Sequence, residues 1–96
     1  MKIKLTDEAL ETLVELKKDT AKKRILKDVT EAFNFMEINL RHPSLNIHEY
    51  KNLKGPNEEK FFEAYAQQDT PGAYRIFFYY GPGEGIISVF AIIPHP

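Results

Sequence analysis

Cysteine is missing altogether from the 96 residues. That excludes disulfides, thiolate metal sites and iron–sulfur clusters, and it suits a reducing compartment. No apolar run approaches the length that spans a bilayer. Met1-Lys-Ile-Lys4 has no apolar leader core behind it, so a cytoplasmic protein without membrane contact is expected. Neither sign of charge dominates: 13 Lys and Arg stand against 14 Asp and Glu, a net charge of -1. The whole-molecule field therefore gives no steering toward a polyanion, and any nucleic-acid contact must rest on a local patch. Glycine-rich phosphate loops, cofactor motifs, repeats and low-complexity tracts are also missing, so no cofactor is expected. The chain reads as one domain over residues 1–96.

What is present is concentrated near the end of the chain. Ala73-Tyr-Arg-Ile-Phe-Phe-Tyr-Tyr80 and Ile86-Ile-Ser-Val-Phe-Ala-Ile-Ile93 are rich in aromatic and β-branched residues, and Gly81-Pro-Gly-Glu-Gly85 separates them. They predict a β-hairpin whose second arm, free of charge, suits a central and well-covered strand. Upstream, Lys2–Leu5 alternates as a short strand. Asp7–Lys18 reads as a helix capped by Thr6 or Asp7, with Leu10, Leu13, Val14 and Lys17 on one face and Leu16 beside it. A second helix, capped by Asp19 or Thr20, carries the stripe Ile25, Val29, Ala32, Phe33, Met36 and Leu40. Pro43 ends it. Ile47–Leu53 and Lys60–Gln67 complete the strands, although the Ala and Glu of the latter also permit a helix, and Asp69-Thr-Pro-Gly72 is a turn with Pro and Gly placed for type II. The order β-α-α-β-β-β-β predicts an α+β fold. Its antiparallel helical hairpin covers one face of a mainly antiparallel sheet of four to five strands.

Strand alternation assigns the uncovered face. Arg75 is the one charged side chain of its strand, and burying it alone is costly. The set Arg75, Phe77 and Tyr79 is therefore placed on the open side, with Phe61, Glu63, Tyr65 and Gln67 of the neighbouring strand. A cross-strand Arg75–Glu63 pair that merely neutralises the face is the plainer account of those two residues. None of the three histidines, His42, His48 and His95, stands at a usual metal spacing from another ligand, so no metal site is expected. His42 reads as a loop or capping residue. A histidine that titrates near neutrality, a permanently charged arginine and a few tyrosines suffice for metal-free phosphodiester cleavage. The RNA 2'-hydroxyl supplies the nucleophile, and the protein supplies a base, an acid and a charge clamp.

The β-α-α order, Leu53-Lys-Gly55, Ala73-Tyr-Arg-Ile-Phe77 and a final strand ending in His95 together resemble the RelE/ParE superfamily of bacterial toxins. These are the toxin halves of type II toxin–antitoxin modules, and the nearest likeness is to the RelE/YoeB-like mRNA interferase branch. The resemblance covers nearly the whole chain. It implies metal-free mRNA cleavage, often on the ribosome, restrained by a cognate antitoxin. By resemblance, Arg75 matches the strand arginine that stabilises the scissile phosphate, and His95 the C-terminal histidine that acts as general acid. His48 falls beside the position of the glutamate general base of YoeB-like members. Lys51 and Lys54 lie where basic residues contact phosphate. The expected RNA-contacting set is then Lys51, Lys54, Glu63, Tyr65, Phe77 and Tyr79. Pro96 stands where YoeB-like members carry tyrosine, and Glu63 and Tyr65 stand where active relatives show arginine or lysine. A ParE-like gyrase inhibitor and a non-catalytic antitoxin-binding relic of the same fold remain open as alternatives.

Overall fold

In the computed structural model, which describes residues 1–95, strand β1 (Lys2–Leu5) leads into helices α1 (Asp7–Lys18) and α2 (Lys23–Ile38). Pro96, and with it the contrast with a terminal tyrosine, lies outside the described residues. Four further strands follow: β2 (His48–Lys54), β3 (Lys60–Tyr65), β4 (Tyr74–Tyr80) and β5 (Ile86–Pro94). The sheet order is β1-β5-β4-β3-β2. β1 pairs parallel to β5, and every other pairing is antiparallel. The central place expected for the uncharged second arm of the hairpin is where β5 lies. No helix among the described residues is long and apolar enough to cross a membrane.

The helix ends follow from local chemistry. Thr6 caps α1, its hydroxyl accepting from the Ala9 amide. The buried face of α1 is Ala9 and Leu16, with Leu13 beside them, whereas Leu10 and Val14 are exposed. The face expected from Leu10, Leu13, Val14 and Lys17 is thus turned partly outward. Ala9, Leu13 and Leu16 follow one another at spacings of four and three, which is one face of a helix. Asp19 caps a short 3-10 turn, Thr20–Lys22, before α2 begins. The α2 stripe is as expected through Met36: Val29, Ala32 and Met36 are buried, and Ile25 and Phe33 pack against them, whereas Leu40 packs on the core from beyond the helix, which ends at Ile38.

Under the helices lie Ala64, Ile76, Phe78, Ile87, Val89 and Ile92. Full burial of each large side chain here is worth about 1.5–3 kcal/mol. Val89 and Ile92 are three apart, which simple alternation forbids on one face. A β-bulge explains it: Phe77 pairs with Ala91 and Phe78 with Val89, leaving Phe90 as the extra residue.

Two turns frame the open face. Thr70–Ala73 closes with an Ala73 N–H to Thr70 carbonyl bond of 3.1 Å, and Gly72 at φ +69° occupies the left-handed position that type II demands. The β2–β3 turn is tied by the Glu59 carboxylate, which accepts from the Asn57 amide at 2.9 Å. A Cβ on Gly55 would collide with that carboxylate. The Asn57 amide, and next the amide of Glu59 itself, hold the Glu59 carboxyl below its usual range. A group whose pKa is lowered by folding contributes stability above its unfolded pKa, and this is lost as pH falls through the folded value. Glu59→Gln is therefore expected to lower Tm slightly at neutral pH. The gap to the wild type should close as pH is taken below the carboxylate range, which thermal melts across pH will check. A gap that does not change with pH would disprove the assignment.

Candidate functional site

The face opposite the helices carries one charged cluster. Glu63 sits at its centre, on β3. One carboxylate oxygen lies 2.6 Å from His48 Nε2, and the other 3.9 Å from Arg75 Nε. His48 and Glu63 are register partners across β2 and β3. Arg75 is paired with Tyr65 and Glu63 with Phe77, so the Arg75–Glu63 cross-strand contact is made on the diagonal. Arg75 lies under Tyr65, its guanidinium carbon 3.7 Å from the ring centroid, a cation–π contact. Its Nη1 donates to the Gln67 carbonyl at 2.8 Å, and more weakly to those of Ala73 and Tyr74. Its Nε has no hydrogen-bond partner. Arg75 and Glu63 are each only 8% exposed. Arg75 is thus on the open side of the sheet, yet it is covered by Tyr65 rather than bathed in solvent.

His48 is held at both nitrogens. Nδ1 lies 3.0 Å from the Asn46 carbonyl, which can only accept, so Nδ1 carries a proton. Nε2 is turned to the Glu63 carboxyl. Asn46 presents that carbonyl from a left-handed conformation, φ 44° and ψ 48°, at the exit of the 3-10 turn Pro43–Leu45. His42 has the capping role expected of it: Nδ1 accepts from the Ser44 amide, and the ring stacks on Phe35 at 3.8 Å. No group of three or more His, Cys, Asp or Glu able to hold a metal ion stands among the described residues.

The other expected residues are distributed around this cluster. His95 is exposed. Its amide donates to the Ala73 carbonyl at 2.8 Å, just beyond the Arg75–Ile93 pair. Strand alternation carried one residue past β5 puts it on the Arg75 side. Phe77 and Tyr79 are on the open face as expected, Phe77 edge-on to Tyr50 at 5.4 Å and Tyr79 near Phe61 at 6.0 Å. Lys51 and Lys54 are exposed on edge strand β2, and Lys54 Nζ is 4.0 Å from Glu58. They do not join the charged cluster. Gln67 departs from expectation. The Ala66 and Gln67 amides both bond to the Tyr74 carbonyl, so β3 ends at Tyr65 and alternation stops there. The Gln67 side chain turns to the helix side, where it donates to Asp28 of α2 at 3.0 Å.

Sequence reasoning did not single out the Asn46 carbonyl or Phe90. The first is a main-chain group with no side-chain signature. The second alternates with buried Val89 onto the open face, packing 4.4 Å from Phe61. With Tyr50, Leu53, Phe61, Phe77, Ala91 and Ile93 it lines an apolar pocket of about 140 Å³.

No family model matches this chain. No curated protein matches it either. Among solved structures, a chain of the archaeal RelE–RelB complex from Pyrococcus horikoshii OT3 superposes with a TM-score of 0.66 at 14% identity, covering 97% of this chain and 92% of that one. The fold is RelE-like. On the RelE-like sheet the helical hairpin takes one face, and the His48–Glu63–Arg75–Tyr65 cluster and the aromatic pocket share the other.

Proposed function

We propose that this chain is the toxin component of a type II toxin–antitoxin module and acts in the cytoplasm as a metal-independent endoribonuclease on mRNA, on or off the ribosome. The convergence of a histidine, a carboxylate, an arginine and a tyrosine on the uncovered sheet face carries this reading. In the step envisaged, the RNA 2'-oxygen attacks the adjacent phosphorus, the bond from phosphorus to the 5'-oxygen breaks, and a 2',3'-cyclic phosphate remains. His48 Nε2, turned from Glu63 to the RNA with its lone pair free, takes the 2'-hydroxyl proton; His95 returns a proton to the departing 5'-oxygen; Arg75 stabilises the charge that develops on the phosphorane. Lys51 and Lys54 would approach the RNA backbone from the sheet edge. The RelE-like fold, seen elsewhere in a RelE–RelB complex, supports an antitoxin as the protein partner.

The test is cleavage of single-stranded RNA by the purified protein in excess chelator. Products ending in 2',3'-cyclic phosphate are expected, and they should be lost in His48→Ala. A second reading, a non-catalytic gyrase inhibitor or antitoxin-binding relic, is favoured by one observation: both nitrogens of His48 and Nη1 of Arg75 are already occupied by the protein. Growth arrest on induction without new RNA ends would replace the first reading with this one.

A further inference from the structure

Next to the charged cluster is the apolar pocket of about 140 Å³. Phe77, in its wall, is the register partner of Glu63. The pocket therefore begins one residue pair from the carboxylate that joins His48 to Arg75. We infer that this pocket is a nucleobase subsite: it takes one unstacked base of a single-stranded RNA whose neighbouring phosphate lies over the charged cluster. The inference rests on the ribonuclease reading above.

Shape and lining come first. Tyr50, Phe61, Phe77 and Phe90 present rings, and a base stacks on such rings whatever its identity because every base has a π-face. Rigidity comes second. Tyr50 is locked edge-on to Phe77 at 5.4 Å, and Phe61 lies 4.4 Å from Phe90. All four sit on strands, so the walls are in place before any ligand arrives. Access is third: Leu53 and Ile93, at the rim, are 58% and 46% exposed, so the pocket opens to solvent, unlike the sealed core under the helices. Charge is fourth. The wall carries none, while the Arg75 guanidinium lies beyond one end, beside Glu63, and Lys54 follows Leu53 in the chain. An apolar slot with the charged cluster outside it suits an uncharged base whose phosphate stays outside the wall. The lining offers the Tyr50 hydroxyl as its one polar side-chain group, so base identity is read weakly and the subsite serves positioning.

The experiment uses the full chain and a short RNA made uncleavable by 2'-O-methylation, with 2-aminopurine placed at each position in turn, beside matched oligonucleotides abasic at the same position. The expected result is quenching at one position, with the abasic change there weakening binding about ten- to a hundredfold. Tyr50→Ala should lose about as much on the intact RNA and nothing further on the abasic one, while Tyr50→Phe binds as the wild type does. Equal affinity of the wild type for intact and abasic RNA at every position would overturn the subsite and leave the ribonuclease reading standing. Absence of RNA binding by the wild type would overturn both. Binding of an amphipathic Leu/Phe-rich peptide, but not RNA, in a manner sensitive to Tyr50→Ala would assign the pocket to a protein partner and overturn the subsite.

Discussion

Arg75→Ala is expected to destabilise the protein by about 3 kcal/mol, with a fall in Tm of about 12 °C or more. The substitution strands Glu63, which is 8% exposed, without its guanidinium neighbour. It also removes the stack on Tyr65 and the donor to the Gln67 carbonyl that ties the end of β3 to β4. Breaking a buried pair costs about 3–5 kcal/mol because a desolvated charge is left behind. His48 still contacts Glu63, which places the loss at the lower end. Adding Glu63→Gln to Arg75→Ala should restore part of it, a coupling that a double-mutant cycle reads directly. Arg75→Lys keeps the charge and loses the planar fork, so it should fall between. A Tm for Arg75→Ala within about 2 °C of the wild type would mean that the pair carries no structural weight. The consequence for function is practical: loss of toxicity in Arg75→Ala cannot by itself establish a catalytic arginine, because an unstable protein also loses toxicity.

Arg75 also shows how much of this molecule could be read from its sequence. That it belongs on the uncovered face followed from alternation and the cost of a buried charge. That it is nonetheless covered did not follow, because Tyr65 is a local lid whose rotamer no spacing encodes. The elements themselves were legible, including the span of α1 and the turn at Pro71-Gly72, because capping, periodicity and turn chemistry are local. The failures share one physical origin. Ile92, Gln67 and the outward face of α1 all depend on a shift of register or rotation set by packing across the sheet. One extra residue in β5 moves Ile92 into the core and leaves Phe90 and Ala91 together on the open face. The His48–Glu63 contact is likewise a product of strand register: 15 positions separate the two in sequence, and the β2–β3 pairing makes them partners.

Replacement of His95 tests the proton path itself. His95→Ala is expected to lower RNA cleavage by about 10²–10⁴, the usual worth of a positioned general acid. A thermal melt of the variant is read beside the rate, so that a loss of cleavage is counted only where the fold is kept. The role of acid, as distinct from a passive contact, is checked with a substrate whose bridging 5'-oxygen is replaced by sulfur. A thiolate leaves without protonation, so this RNA should restore much of the rate to His95→Ala. It should not rescue His48→Ala, whose missing function is removal of the 2'-proton. A His95→Ala defect that persists undiminished on the sulfur substrate would remove His95 from the proton path and leave the His48–Glu63 pair as the sole acid–base unit on this face. An unchanged rate on ordinary RNA would show that cleavage proceeds without His95 at all.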